Sequence, residues 1–144
     1  MESYSHWVHG VATIVEHPTR AKSIYHWGGG TVVEQEADTY NWFHLAIPTP
    51  TTEGSKAVFL EFVHVRGHMN ENARLAEIHI WDGNKRIHTQ TCVITDEPVD
   101  DEFKLEENVM VTTGVNCCLK VEFLTGKQPI GKATFYGAGG RFLA

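Results

Sequence analysis

The chain has 144 residues, 42% of them hydrophobic and 21% charged, which excludes a disordered, collagenous or coiled-coil protein. A chain of this length forms one domain, residues 1–144, able to bury roughly two-thirds of its unfolded surface without metal or disulfide staples. The net charge of −6 arises in one window, Asp96–Glu107, where seven carboxylates face the single Lys104; no Lys/Arg stripe stands elsewhere, so nucleic acid and anionic lipid are not expected partners.

In chain order, the start MESYSHWVHG lacks the basic and apolar segments of a signal peptide, and no apolar run approaches the ~20 residues that span a bilayer. A cytoplasmic protein with no membrane partner is the expectation. Strand-like runs then recur, with little helical periodicity. They are Trp7–Val15, Ser23–His26, Thr31–Glu34, Asn41–Ile47, Ala57–Val65, Leu75–Trp81, Arg86–Thr91, Val109–Thr112, Asn116–Leu124 and Lys132–Tyr136. Gly28-Gly29-Gly30 supplies a turn; it lacks the Lys-Ser/Thr of a phosphate loop. Pro48 and Pro50 end the fourth run in an extended connector. RGHMNENAR, from Arg66 to Arg74, reads as a polar loop, and Asp82-Gly83-Asn84 is the strongest hairpin signal. Asp96–Glu107 has no central Gly for an EF-hand and reads as a solvated acidic loop. Gly137–Gly140 carries a short tail to Ala144. Ten short strands predict an all-β, antiparallel β-sandwich with jelly-roll-like connections. The run AVFLEFVHV, apolar on both faces, predicts a homodimer or small homo-oligomer.

Cys92, Cys117 and Cys118 cannot all pair with one another, and adjacent strand residues point to opposite faces. Free thiols are expected, with Cys117 in the core and Cys118 more exposed. Without a C-x-x-C there is no zinc-ribbon or redox reading, and without a catalytic partner in the sequence neither thiol is a candidate nucleophile.

Nine histidines direct attention to the strand faces. In NWFHLAI, Phe43, Leu45 and Ile47 form the core face and Trp42, His44 and Ala46 the other. In EIHIWDG, Ile78 and Ile80 are core, while Glu77, His79 and Trp81 share the opposite face; in HWVHG, Trp7 and His9 fall together. One reading makes this face a pocket: Trp7, His9, Trp42 and Trp81 bind an organic ligand and His44, His79 and Glu77 move protons. The other makes it the half-solvated surface of an antiparallel sheet. No His-x-His plus Glu pattern is present, which leaves only an irregular His9/His44/His79 set for a metal; no metal and no cofactor are expected.

WVHG, NWFHLAIPTP, HIWDG and CLKVEF resemble, in this order and over Trp7 to Phe123, an uncharacterised family of small microbial and fungal proteins classed as a domain of unknown function. The resemblance implies a shared fold and assigns no activity. The functional expectation from the residues is a cofactor-independent isomerase, cyclase or lyase of specialised metabolism acting on a small molecule; the alternative is a non-catalytic module that binds a sugar or an aromatic metabolite.

Overall fold

The computed structural model describes residues 2–144. Its strands are β1 (Ser3–His9), β2 (Ile14–Val15), β3 (Ala21–Trp27), β4 (Gly30–Gln35), β5 (Thr39–Ile47), β6 (Thr52–Glu53), β7 (Lys56–Ala57), β8 (Phe59–Asp82), β9 (Lys85–Met110), β10 (Val115–Phe123) and β11 (Gly131–Leu143). The helical content among these residues is two short 3-10 turns, Gly10–Ala12 and Pro18–Arg20. All pairings are antiparallel. The main sheet runs β2-β5-β10-β8-β11-β4-β3, with β1 added to β11 and β9 to β8.

This sheet becomes a sandwich because β8 and β9 are long enough to serve both layers. The first half of β8 pairs with β11, from Phe59↔Leu143 to Met69↔Ala133. Its second half pairs with β10, from Ala73↔Phe123 to Asp82↔Val115. β9 follows β8 through both halves, with a register shift between Met69 and Arg74. The layers then face each other across the core, where Phe43 of β5 meets Phe135 of β11 at 4.6 Å between ring centroids. The alternation read from NWFHLAI and EIHIWDG holds: Phe43, Leu45, Ile47, Ile78 and Ile80 are buried. Cys117 joins this core, and all three cysteines are free.

Several local expectations are corrected. Trp7–Val15 is not one strand, because Gly10–Ala12 turns the chain between β1 and β2. RGHMNENAR is strand: Asn70 Oδ1 accepts from the Asn72 and Lys132 amides, and Asn72 Nδ2 donates to the Gln128 carbonyl, so polar side chains bind the strand to its neighbours. The acidic window is also strand, with Val99, Phe103 and Leu105 turned inward and the carboxylates exposed along the β9 edge. Such a charged edge opposes pairing with another chain. The Gly-rich tail is the second half of β11 and pairs with both β1 and β8. At its end Glu2 and Ala144 exchange two backbone hydrogen bonds, of 2.8 and 3.0 Å.

AVFLEFVHV is not apolar on two faces. A register shift at Leu60/Phe62 turns Val58 and Leu60, then Val63 and Val65, to the same core and leaves Phe59 and Phe62 half-buried. That removes the reason for expecting a dimer. No helix among the described residues is long and apolar enough to cross a membrane.

Candidate functional site

The site lies on the outer face of the layer formed by β5, β10 and the second half of β8. Antiparallel register sets three rows across it: Trp42–Lys120–Glu77, His44–Cys118–His79 and Ala46–Asn116–Trp81. Small side chains on the middle strand, Asn116 and Cys118, form the floor. Trp42 and His44 rise on one side and His79 and Trp81 on the other. They enclose an open groove of about 280 Å³ also lined by Glu16.

Glu16 reaches the groove through the turn after β2, which pairs Ile14 with His44. Asn41, fully buried, fixes that turn: its Oδ1 accepts from the His17 amide at 3.0 Å, and its Nδ2 donates to the His17 carbonyl at 2.9 Å and to Gln35 Oε1 at 3.0 Å. The Glu16 amide donates to the Trp42 carbonyl at 2.9 Å. Glu16 Oε1 then stands 2.9 Å from His44 Nε2. A carboxylate can only accept, so Nε2–H donates here, and Nδ1 is left to accept from the donor-only Asn116 Nδ2. Nδ1 faces Asn116 Nδ2 and Cys118 Sγ, each at 3.2 Å.

The Cys118 thiol is pushed up to about 12, first by burial and then by the Glu16 charge. It is a neutral thiol at the floor of the groove, suited to donate to His44 and not to attack a substrate. Across the groove His79 Nε2 meets Glu77 Oε1 at 2.6 Å, and the His79 ring lies 4.6 Å from that of Trp42.

The far end is set by Asp82. Its Oδ1 accepts from the Thr113 and Gly114 amides and its Oδ2 from the Thr112 amide, each at 2.9 Å; the Thr112 hydroxyl adds a fourth bond at 3.2 Å. Burial alone would raise this carboxyl, but the three amides and the hydroxyl outweigh it and hold it below the usual aspartate range. Gly83, at φ 58°, begins the two-residue turn from β8 to β9, a position where glycine is the natural choice. Thr49 ties the IPTP segment to the same end, its hydroxyl donating to the Ile47 carbonyl at 2.7 Å and accepting from the Val115 amide at 2.8 Å.

Four of the sequence-derived site residues therefore meet in one groove: Trp42, His44, His79 and Trp81. Glu77 stands behind His79 as its partner, outside the lining. Trp7 and His9 are elsewhere, a correction to the single aromatic face: β1 pairs with β11 and Trp7 packs against His64. The His9/His44/His79 set is not formed, and no group of three His, Cys, Asp or Glu suited to a metal occurs among the described residues. Glu16, Asn116 and Cys118 were missed. Alternation in VNCCLKVEF puts Asn116 and Cys118 on one face, but no local signal brings Glu16 to His44.

Fold and site together define an antiparallel β-sandwich with an aromatic, imidazole-lined groove on one outer face. The chain belongs to a family of unknown function (DUF6623), whose model matches residues 1–132. No curated protein matches it. Among solved structures it is similar to the CBM36-1 domain of a multidomain xylanase from the hindgut metagenome of Trinervitermes trinervoides, at 13% identity and TM-score 0.46, covering 98% of each chain. It is also similar to a carbohydrate-binding module, CBM36, in complex with calcium and xylotriose, at 12% identity and TM-score 0.44, covering 92% of this chain and 96% of that one. A family two carbohydrate esterase from Cellvibrio japonicus matches at 8% identity and TM-score 0.45, over 99% of this chain and 36% of that one.

The expected cofactor-independent isomerase, cyclase or lyase does not stand. In this chain the intended proton carriers, His44 and His79, are each turned to a carboxylate of the chain itself, in a groove open to water.

Proposed function

We propose that residues 1–144 act as one non-catalytic binding domain whose groove holds a small sugar. The observation that supports this reading is the fixed polar line Glu16–His44–Asn116 set between two half-buried indoles, Trp42 and Trp81. A sugar ring has C–H faces that pack on an aromatic surface and hydroxyls that both donate and accept. The indoles offer the first contact. The Glu16 carboxylate and the Asn116 amide offer acceptor and donor at positions held by other bonds, so little freedom is lost on binding. The groove volume is at the small end of ligand sites, which suits one or two rings of a chain and not a large metabolite.

Isothermal titration with xylotriose and β-1,4-galactotriose tests the reading. Binding of either is expected, with Trp42→Ala and Trp81→Ala each weakening it about tenfold or more. Unchanged affinity in both folded variants would refute the groove as the binding site.

A further inference from the structure

The geometry points to a second sugar-contacting site on the other layer, with the indole of Trp7 as its platform. Its ligand class rests on the reading of the groove; its residues are separate. Register places Trp7, Gly139, His64 and Glu102 in one row across β1, β11, β8 and β9. The neighbouring residues Ala138 and Val65 point into the core, so this row faces outward.

Trp7 lies flat across β11. A Cβ on Gly139 would stand 2.5 Å from Trp7 Cδ2 and 2.6 Å from Cε2, the middle of the indole, so the ring rests face-on against a bare Cα. The His64 ring packs beside it at 5.1 Å, itself held by Asp100 Oδ1 at 2.5 Å from its Nε2. One indole face is thus seated and immobilised, while the residue remains 45% exposed. A residue that served only to cover the strand would spend its aromatic surface on the protein. Here much of that surface remains presented to solvent.

Clefts flank the ring on both sides. One, of about 200 Å³, is lined by Ser5, Glu102 and Arg141 among others. The other, of about 310 Å³, is lined by His9, Arg66 and Tyr136 over Gly137. Hydroxyl, carboxylate, guanidinium and imidazole groups together offer donors and acceptors of both charge signs, which suits a neutral polyhydroxylated ring better than an anion. The clefts fall below and at the low end of the roughly 300–1,000 Å³ of drug-sized ligand sites, so each flank takes the substituents of one ring seated on Trp7.

The four tryptophans give separate indole N–H signals, so ¹⁵N-labelled protein can be titrated with xylotriose, β-1,4-galactotriose and cellotriose and each indole followed by NMR. A saturable shift of the Trp7 signal is expected. Trp7→Ala should weaken that component about tenfold or more, and Trp7→Phe, which keeps a ring over Gly139, should retain part of it. Movement of Trp7 alone supports this site and refutes the groove; movement of Trp42 and Trp81 alone overturns this site and leaves the groove. No movement of any indole with any of the three sugars overturns both. A Trp7→Ala protein that melts earlier yet shows unchanged sugar affinity also overturns the proposal, because it assigns Trp7 a purely structural role.

Discussion

Asp82 decides the shape of one end of the groove with a single carboxylate. Its four hydrogen bonds hold Thr112–Gly114, and that loop leads directly into Asn116 at the groove floor. Hydrogen bonds to a charged group contribute more than neutral ones, so Asp82→Asn should lower stability by about 1.5–3 kcal/mol at pH 7. The sign of the pH dependence follows from the lowered folded-state value. The contribution is fully present above the ordinary aspartate range near ~3.9 and is lost as pH falls through the lower folded value. Urea denaturation at a series of pH values should therefore show the gap between wild type and Asp82→Asn closing below about pH 4. A gap independent of pH would contradict this role. Asn41 is the comparable residue at the other end. In NWFH it reads as a strand residue of no special kind, yet its bonds to the His17 backbone bring Glu16 to His44.

Strands built on ordinary alternation were legible in the sequence, and strands held together by polar side chains or glycines were not. NWFHLAI and EIHIWDG announce their core faces, and the Asp82-Gly83-Asn84 turn announces its hairpin. RGHMNENAR hides its strand because asparagine side chains supply bonds that an apolar pattern would otherwise signal. The second half of β11 hides because glycine ordinarily weakens strands; here it is required where Trp7 and the turn after β1 press close. For the groove, face alternation found Trp42, His44, His79 and Trp81, but which strands lie side by side is a property of topology. Trp7 and His9 were therefore grouped with partners from the other layer. The close approach around β11 makes a sharp contrast among glycines. A Cβ on Gly10 would overlap the Phe135 carbonyl oxygen, whereas one on Gly114 would meet nothing within 4 Å. Gly10→Ala should cost about 2–4 kcal/mol and Gly114→Ala no more than about 0.5 kcal/mol, as read by chemical denaturation. Equal losses would show that packing against β11 is not what selects glycine at position 10.

Across the whole molecule, β8 and β9 belong to both layers, so opening one layer loosens strands on which the other also depends. Unfolding should accordingly be one cooperative transition. Trp42 and Trp81 report on one layer and Trp7 on the other, so single-tryptophan variants should share one denaturation midpoint after correction for the substitutions. Separate midpoints would divide the molecule into two units.

The pairing of Glu2 with Ala144 places the first and last described residues side by side. A short linker could join them, and the exposed turn at Gly54-Ser55, where Gly54 adopts φ 63° with open space around it, could be cut to make new ends. In such a circular permutant β11 and β1 become neighbours in the chain, and the most distant pairing in the sequence becomes a hairpin. Joining them shortens the loop that must close before these strands meet. The permutant should retain its groove and its melting temperature to within a few degrees, and it should refold faster than the parent in stopped-flow dilution from urea. Refolding at the parental rate would mean that β1 docks only after the rate-limiting step.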